Sequence, residues 1–156
     1  SISEEKIVKR FILFLLFFCG ILGQVQAKET DITKMEQRLD ECLSIFEKKE
    51  QKCSQTWRME CFNPLINAQK ELQQCYKKTA LDILEIFYGL STEDAEKMFD
   101  EYSDFLYKQY GFIFGKTTYC KKNNCGISIY FYTEYATSQA LADYVHKMIN
   151  SVSARL

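Results

Sequence analysis

The stretch Cys42-LSIFEKKEQK-Cys53-SQTWRME-Cys61-FNPLINAQKELQQ-Cys75 decides the fold, because it reads as two antiparallel helices with a tight connection. Ile32, Met35, Leu39, Cys42, Phe46, Lys49 and Cys53 recur at intervals of three and four. That spacing puts them on one face of a helix with about 3.6 residues per turn. Asn63-Pro64 predicts a second helix start, with Asn63 as the cap and Pro64 at the first helical position, where a missing N–H costs nothing. Cys42 to Cys53 and Pro64 to Cys75 are each eleven residues apart. At about 1.5 Å of rise per residue the two runs are equally long, so folding them back sets Cys75 level with Cys42. Cys53 and Cys61 then fall on either side of the turn. Of the connectivities that four cysteines allow, register favours the nested pairs Cys42–Cys75 and Cys53–Cys61.

The oxidising compartment those pairs need is signalled upstream. Lys6, Lys9 and Arg10 precede an apolar run over 11–22, and Gln24-Val25-Gln26-Ala27 ends it in the small-residue pattern of a signal-peptidase site. Residues 1–27 read as a secretory signal peptide, with cleavage expected after Ala27. A membrane anchor is the competing reading, but the apolar run is short for a span and polar chain follows it. Lipid attachment through Cys19 is disfavoured by Phe18, which stands where a small residue belongs. Cleavage removes Cys19 from the seven cysteines and leaves an even set, which in an exported chain argues for disulfides over metal ligands.

Residues 28–156 suit one domain with a real core. The leader takes three of 20 basic residues and two of 21 acidic ones, leaving a slightly acidic chain with nothing to suggest nucleic acid. Glu36, Arg38, Glu41, Glu47, Lys48 and Glu50 make a mixed-charge outer face on the first helix. The connection after Cys53 holds the only tryptophan, Trp57, beside Arg58 and Phe62. That cluster is either the plug of a small core or a binding tip.

Leu65, Ala68, Leu72, Cys75, Tyr76, Thr79, Ile83, Ile86 and Phe87 line one side of the second helix, which Gly89 ends as a left-handed cap. Ser91-Thr92-Glu93-Asp94 opens a third helix with acids in its first turn. Its expected buried face is Met98, Phe99, Tyr102, Phe105, Leu106, Gln109 and Ile113. Its other face gathers Glu93, Glu96, Asp100, Glu101 and Asp104, either a solvated surface or a dock for a basic partner. Cys120-Lys121-Lys122-Asn123-Asn124-Cys125 reads as a loop closed by a Cys120–Cys125 disulfide, since no further ligands complete a metal set. Residues 127–135 alternate as a strand would, but no second strand exists to pair with them, and their continuation has helical spacing. A fourth helix is expected. The fold class is an all-α, disulfide-stapled antiparallel bundle of about four helices, near 31–52, 64–88, 92–114 and 128–151.

The sequence offers little chemistry. The lone His146 has no nucleophile placed beside it by any motif, and nothing selects Glu71, Glu85 or Glu134 over surface carboxylates. No phosphate-cradling glycine loop or metal-ligand spacing is present, so the chain reads as non-enzymatic, with no cofactor.

Several stretches together resemble the LprI-like family, small exported bacterial proteins named for a lysozyme inhibitor. Ser54-Gln55-Thr56-Trp57-Arg58-Met59-Glu60-Cys61 is similar to the family's Gln-Thr segment followed by Met and Cys. Glu71-Leu72-Gln73-Gln74-Cys75-Tyr76 resembles its Glu-Leu-Asn-x-x-Tyr segment. Leu106, Gln109, Phe112, Lys116 and Cys120 keep the spacing of its Gln-x-x-Trp-x-x-x-Arg-x-x-x-Cys segment, with Phe for Trp and Lys for Arg. Gly126-Ile127-Ser128 is similar to the Gly-Gly-Ser opening its last helix. The spacing around Cys61 departs from the family pattern, Cys42 and Cys75 are additions, and Cys125 stands in for a late cysteine. The resemblance implies a single helical domain over 28–156, periplasmic or secreted, that inhibits a lysozyme-type wall hydrolase. A cell-envelope interaction module with another protein partner is the alternative. Trp57, Arg58, Lys121 and Lys122, on disulfide-pinned loops, are the candidate partner contacts.

Overall fold

A computed structural model describes the backbone of residues 2–54, 59–116 and 126–156, and their side chains except those of 2, 17–27, 54, 59 and 126–128. The chain is all-helical, and no strand forms among the described residues. Helix α1 (Ile2–Ser54) is followed by a 3-10 turn (Met59–Cys61), α2 (Phe62–Ile86), α3 (Thr92–Gly115) and α4 (Gly126–Ser153). The fourth helix covers the stretch whose alternation mimicked a strand, as the lack of a pairing strand required.

Helix α1 is longer than its periodicity suggested. It runs 53 residues without a break, from Ile2 into the bundle. Every described side chain over 3–16 is exposed, and Ile32 is the first buried one among the described residues. Beyond it Met35, Leu39 and Phe46 enter the core as the stripe predicted. Lys49 does not; it reaches sideways to form an ion pair with Glu71 of α2. Among the described residues, no helix is long and apolar enough to cross a membrane.

The start of α2 corrects the expected cap. Cys61, not Asn63, is the N-cap, and no side chain caps that end. The 3-10 turn already holds Cys61 at φ −81°, ψ −18°, so the chain enters the helix two residues early and Asn63 falls inside it. Pro64 still lies in the first turn, where its absent N–H has no intrahelical partner to lose. At the other end Gly89 takes φ +68°, the left-handed value expected of it, and Leu90 N–H donates to the Leu84 carbonyl at 3.1 Å. Ser91 then caps α3, its side chain accepting from Asp94 N–H at 3.1 Å.

The tightest packing is α2 against α4, with α1 laid on α2 and α3 on α4; α1 barely meets α4. Phe62 meets Phe131 at 5.4 Å and the Ser138 hydroxyl reaches the Gln69 carbonyl at 3.5 Å, so α2 and α4 advance in the same direction. Their shared core is Ala80, Ile83 and Leu84 against Leu141, Val145, Ile149 and Val152. Helix α3 buries a narrower stripe than its apolar arc suggested: Ala95, Phe99 and Leu106. Met98, Phe105 and Ile113 are exposed, Phe105 by 53%, and so is Phe112. Met98, Phe105 and Phe112 recur every seven residues, about 100° round the helix from the buried stripe, and the other described helices leave them exposed. Ile86 is likewise exposed rather than buried.

Candidate functional site

Among the described residues, one disulfide and two ion pairs stitch α1 to α2, and a second disulfide ties α1 to the 3-10 turn that leads into α2. The structure brings Cys42 to Cys75 and Cys53 to Cys61, with Cα atoms 6.4 and 5.5 Å apart, ordinary spacings for disulfides. Arg38 pairs with Asp82 at 2.6 Å. Relative to the Cys42–Cys75 bond, Arg38 lies four residues before and Asp82 seven after, while Lys49 lies seven after and Glu71 four before. Steps of four and seven return to the same helix face, so all these links share one antiparallel seam. Arg38, on the face expected to be solvated, is thus half-buried in that seam.

The candidate contact residues Trp57, Arg58, Lys121 and Lys122, and the pair Cys120 and Cys125, lie outside the described residues. Their flanks share one end of the bundle. Phe62, just past Cys61, stacks edge-on to Phe131, and Phe114 meets Tyr132 at 6.0 Å, so both connections leave from the same aromatic-rich end.

The acidic face of α3 is partly neutralised from a neighbour. Lys77 of α2, its side chain only 18% exposed, meets Asp100 at 2.9 Å and Glu96 at 3.1 Å. Hydrogen bonding to Asp100 leads the causes that hold the Lys77 ammonium above its ordinary pKa, against partial desolvation. Asp104 pairs with Lys108 on its own helix. Glu93 and Glu101 remain exposed.

A groove of about 320 Å³ opens between α1 and α4, above α2. It exists because both helices pack on α2 and hardly on each other. Phe46, Leu72 and Ala142 give it an apolar floor, Glu47 and Glu50 stand on its α1 rim, and His146 and Gln139 on its α4 rim. Gln69 and Ser138 line its depth and belong to a buried polar knot. There the Gln73 side-chain amide donates to the Glu134 carboxylate at 2.7 Å and to the Ser138 hydroxyl at 3.0 Å. The side-chain oxygen of Gln69 is buried and accepts no hydrogen bond. Tyr76, also in the lining, has its hydroxyl pushed above the ordinary tyrosine pKa by burial. Sequence reasoning missed this groove. Glu47 and Glu50 looked like any solvated pair, and only the helix arrangement places them over Gln69.

Of the carboxylates weighed as acids, Glu71 is held by Lys49, and Glu134 is held by Gln73. His146 is exposed on α4. No set of three metal-ligating side chains gathers among the described residues. The surface presents an acid-rimmed groove, an acidic helix face and an apolar stripe. No protein-family model matches the chain, and no curated protein and no solved structure matches it.

Proposed function

We propose that the chain is an exported, non-enzymatic binding protein for a basic protein partner, with a lysozyme-type wall hydrolase as the sharpest candidate. The observation that carries this reading is a bundle clamped by two disulfides whose surface presents carboxylates, Glu47 and Glu50 on α1 and Glu93 and Glu101 on α3. None of these four meets a basic side chain among the described residues. A glycosidase of the lysozyme type works through two carboxylates in a cleft, so an inhibitor needs only a rigid protrusion that fills it. The connections bearing Trp57-Arg58 and Lys121-Lys122 supply candidate protrusions, and surface acids steer a basic enzyme toward them. The apolar leader, the disulfides and the resemblance to LprI-like proteins support export, with a mature chain starting at Lys28.

A second reading, an interaction module of the cell envelope, is favoured by the exposed Met98, Phe105 and Phe112 stripe, which suits an apolar protein contact. A wall-lysis assay separates the two. Purified oxidised protein is expected to slow lysozyme lysis, less so as salt rises, because exposed carboxylates are screened. Trp57→Ala is expected to weaken that inhibition. Lysis unchanged at large molar excess removes the inhibitor reading and leaves the envelope module.

A further inference from the structure

We propose that the groove between α1 and α4 is a receptor for an arginine side chain presented by a protein partner. The inference rests on the reading of this chain as a binder of basic proteins and names what one of its surfaces takes. The groove is too small for a whole helix; its roughly 320 Å³ sits at the low end of the range of about 300–1,000 Å³ for ligand sites, and suits one long side chain with its backbone. Its floor is apolar at Phe46, Leu72 and Ala142, the surface that an aliphatic stem covers. Ser138 and the Gln139 amide nitrogen in its lining are already hydrogen-bonded, Ser138 to Gln73 and Gln69 and Gln139 to the Tyr135 hydroxyl, but three side chains offer acceptors that no neighbour takes among the described residues. Glu47 and Glu50 stand about one helical turn apart and meet no basic side chain among the described residues. Gln69, only 2% exposed, lines the groove with a side-chain oxygen that has no donor among the described residues.

An occupant must therefore bring several donors, positive charge and an apolar stem at once. Arginine does so: its guanidinium fans five N–H donors in a plane, stays charged and sheds water more readily than an ammonium. The exposed Tyr135 ring beside the rim adds a face on which such a plane stacks. Lysine brings the charge without the fork, and a neutral side chain leaves the carboxylates unmatched.

The test is a ¹H–¹⁵N NMR titration of the oxidised protein with three blocked dipeptides, acetyl-Leu-Arg-amide, acetyl-Leu-Lys-amide and acetyl-Leu-Gln-amide. The arginine peptide is expected to shift amides over 43–50 and 135–146, and to bind about fivefold more tightly than the glutamine peptide. Glu47→Gln with Glu50→Gln should erase that preference while leaving the melting temperature unchanged. Gln69→Leu, checked for folding by its spectrum, should narrow the preference for arginine over lysine. Equal affinities, shifts outside the groove, or binding untouched by the double variant overturn the proposal. Concentration-dependent shifts at these amides without peptide also overturn it, by making a second copy the occupant. Peptide binding without lysozyme inhibition would mean another basic partner; inhibition by the double variant would put the lysozyme contact elsewhere.

Discussion

Gly89 and Gly111 answer the same substitution with opposite signs, because one is held by its backbone and the other is not. Gly89 sits at φ +68° with open space around it, so an added methyl meets no atom yet forces an L-residue into the left-handed region. Gly89→Ala is expected to cost about 1 kcal/mol, or roughly 3 °C of melting temperature, and Gly89→Asn less. Gly111 lies inside α3, and a methyl there would meet the Thr133 side chain at 3.8 Å, an ordinary contact. Gly111→Ala should therefore stabilise by about 0.5–1 kcal/mol through helix propensity alone. Paired thermal melts check both signs. Lys77 carries a pH prediction. Its pKa is raised, chiefly by hydrogen bonding to Asp100, and those of Tyr76, Tyr107 and Tyr144 are raised first by burial. A raised pKa means the fold holds protons that the unfolded chain releases first. This stability is complete below the ordinary values near 10 and is lost as pH climbs through the folded ones. Melting temperature should stay flat from neutral pH to about 9.5 and fall above about 10, and Lys77→Met and Tyr76→Phe should each shallow the fall. A decline of equal slope in all three proteins would refute the assignment. Gly89 and Ser91 were legible in the sequence because turn chemistry is local. Lys77 was not: its partners lie on the next helix, and the acids it binds looked unpaired along the chain.

Between elements, legibility tracked how much of an interface one helix carries by itself. The α1 stripe and the nested cysteine pairing were readable because an antiparallel hairpin sets its own register. The breadth of the α3 buried face was not, since an apolar arc does not say which part of it a neighbour covers. The start of α2 was misplaced because Asn63-Pro64 is a sound cap signal overridden by the 3-10 turn that carries Cys61 into the helix. The hairpin yields a stability prediction. Cys42–Cys75 spans a sequence separation of 33 and Cys53–Cys61 one of 8. In the chain-entropy account the longer loop stabilises by about 3–4 kcal/mol and the shorter by about 2–3 kcal/mol. Cys42→Ala with Cys75→Ala should consequently lower the denaturation midpoint more than Cys53→Ala with Cys61→Ala. The Arg38–Asp82 and Lys49–Glu71 pairs would hold the seam in either variant. Non-reducing peptide mapping checks the pairing, and Cys61 found joined to Cys120 would show the hairpin register to be wrong.

For the whole molecule, the question is whether residues 1–27 belong to the fold. Helix α1 spans about 80 Å at its ordinary rise, and among its described side chains the buried ones lie from Ile32 onward, over about 35 Å. Over 3–16 the chain shows Ile7, Phe11, Leu13 and Leu16 to solvent, an apolar surface on all sides that water does not favour and that the bundle does nothing to cover. Unbroken helix therefore carries no evidence of unbroken function: helical hydrogen bonds are local, and they continue through residues that no tertiary contact holds. Lys28, Glu29 and Thr30 are also exposed, so cutting after Ala27 leaves the described core residues in place. Protein beginning at Lys28 is expected to melt within about 1 °C of the longer chain, because surface residues away from the core shift stability by no more than about 0.5 kcal/mol. It should also stay monodisperse at concentrations where the longer chain self-associates through its apolar run. Light scattering and thermal melts on the two forms check this, and sequencing the amino terminus of protein from the native host shows which form the cell makes. A large loss of melting temperature on truncation would place residues 1–27 inside the folding unit. A native protein that keeps residues 1–27 would leave the bundle tethered at its Ile32 end, with the aromatic end and its two connections about 35 Å away.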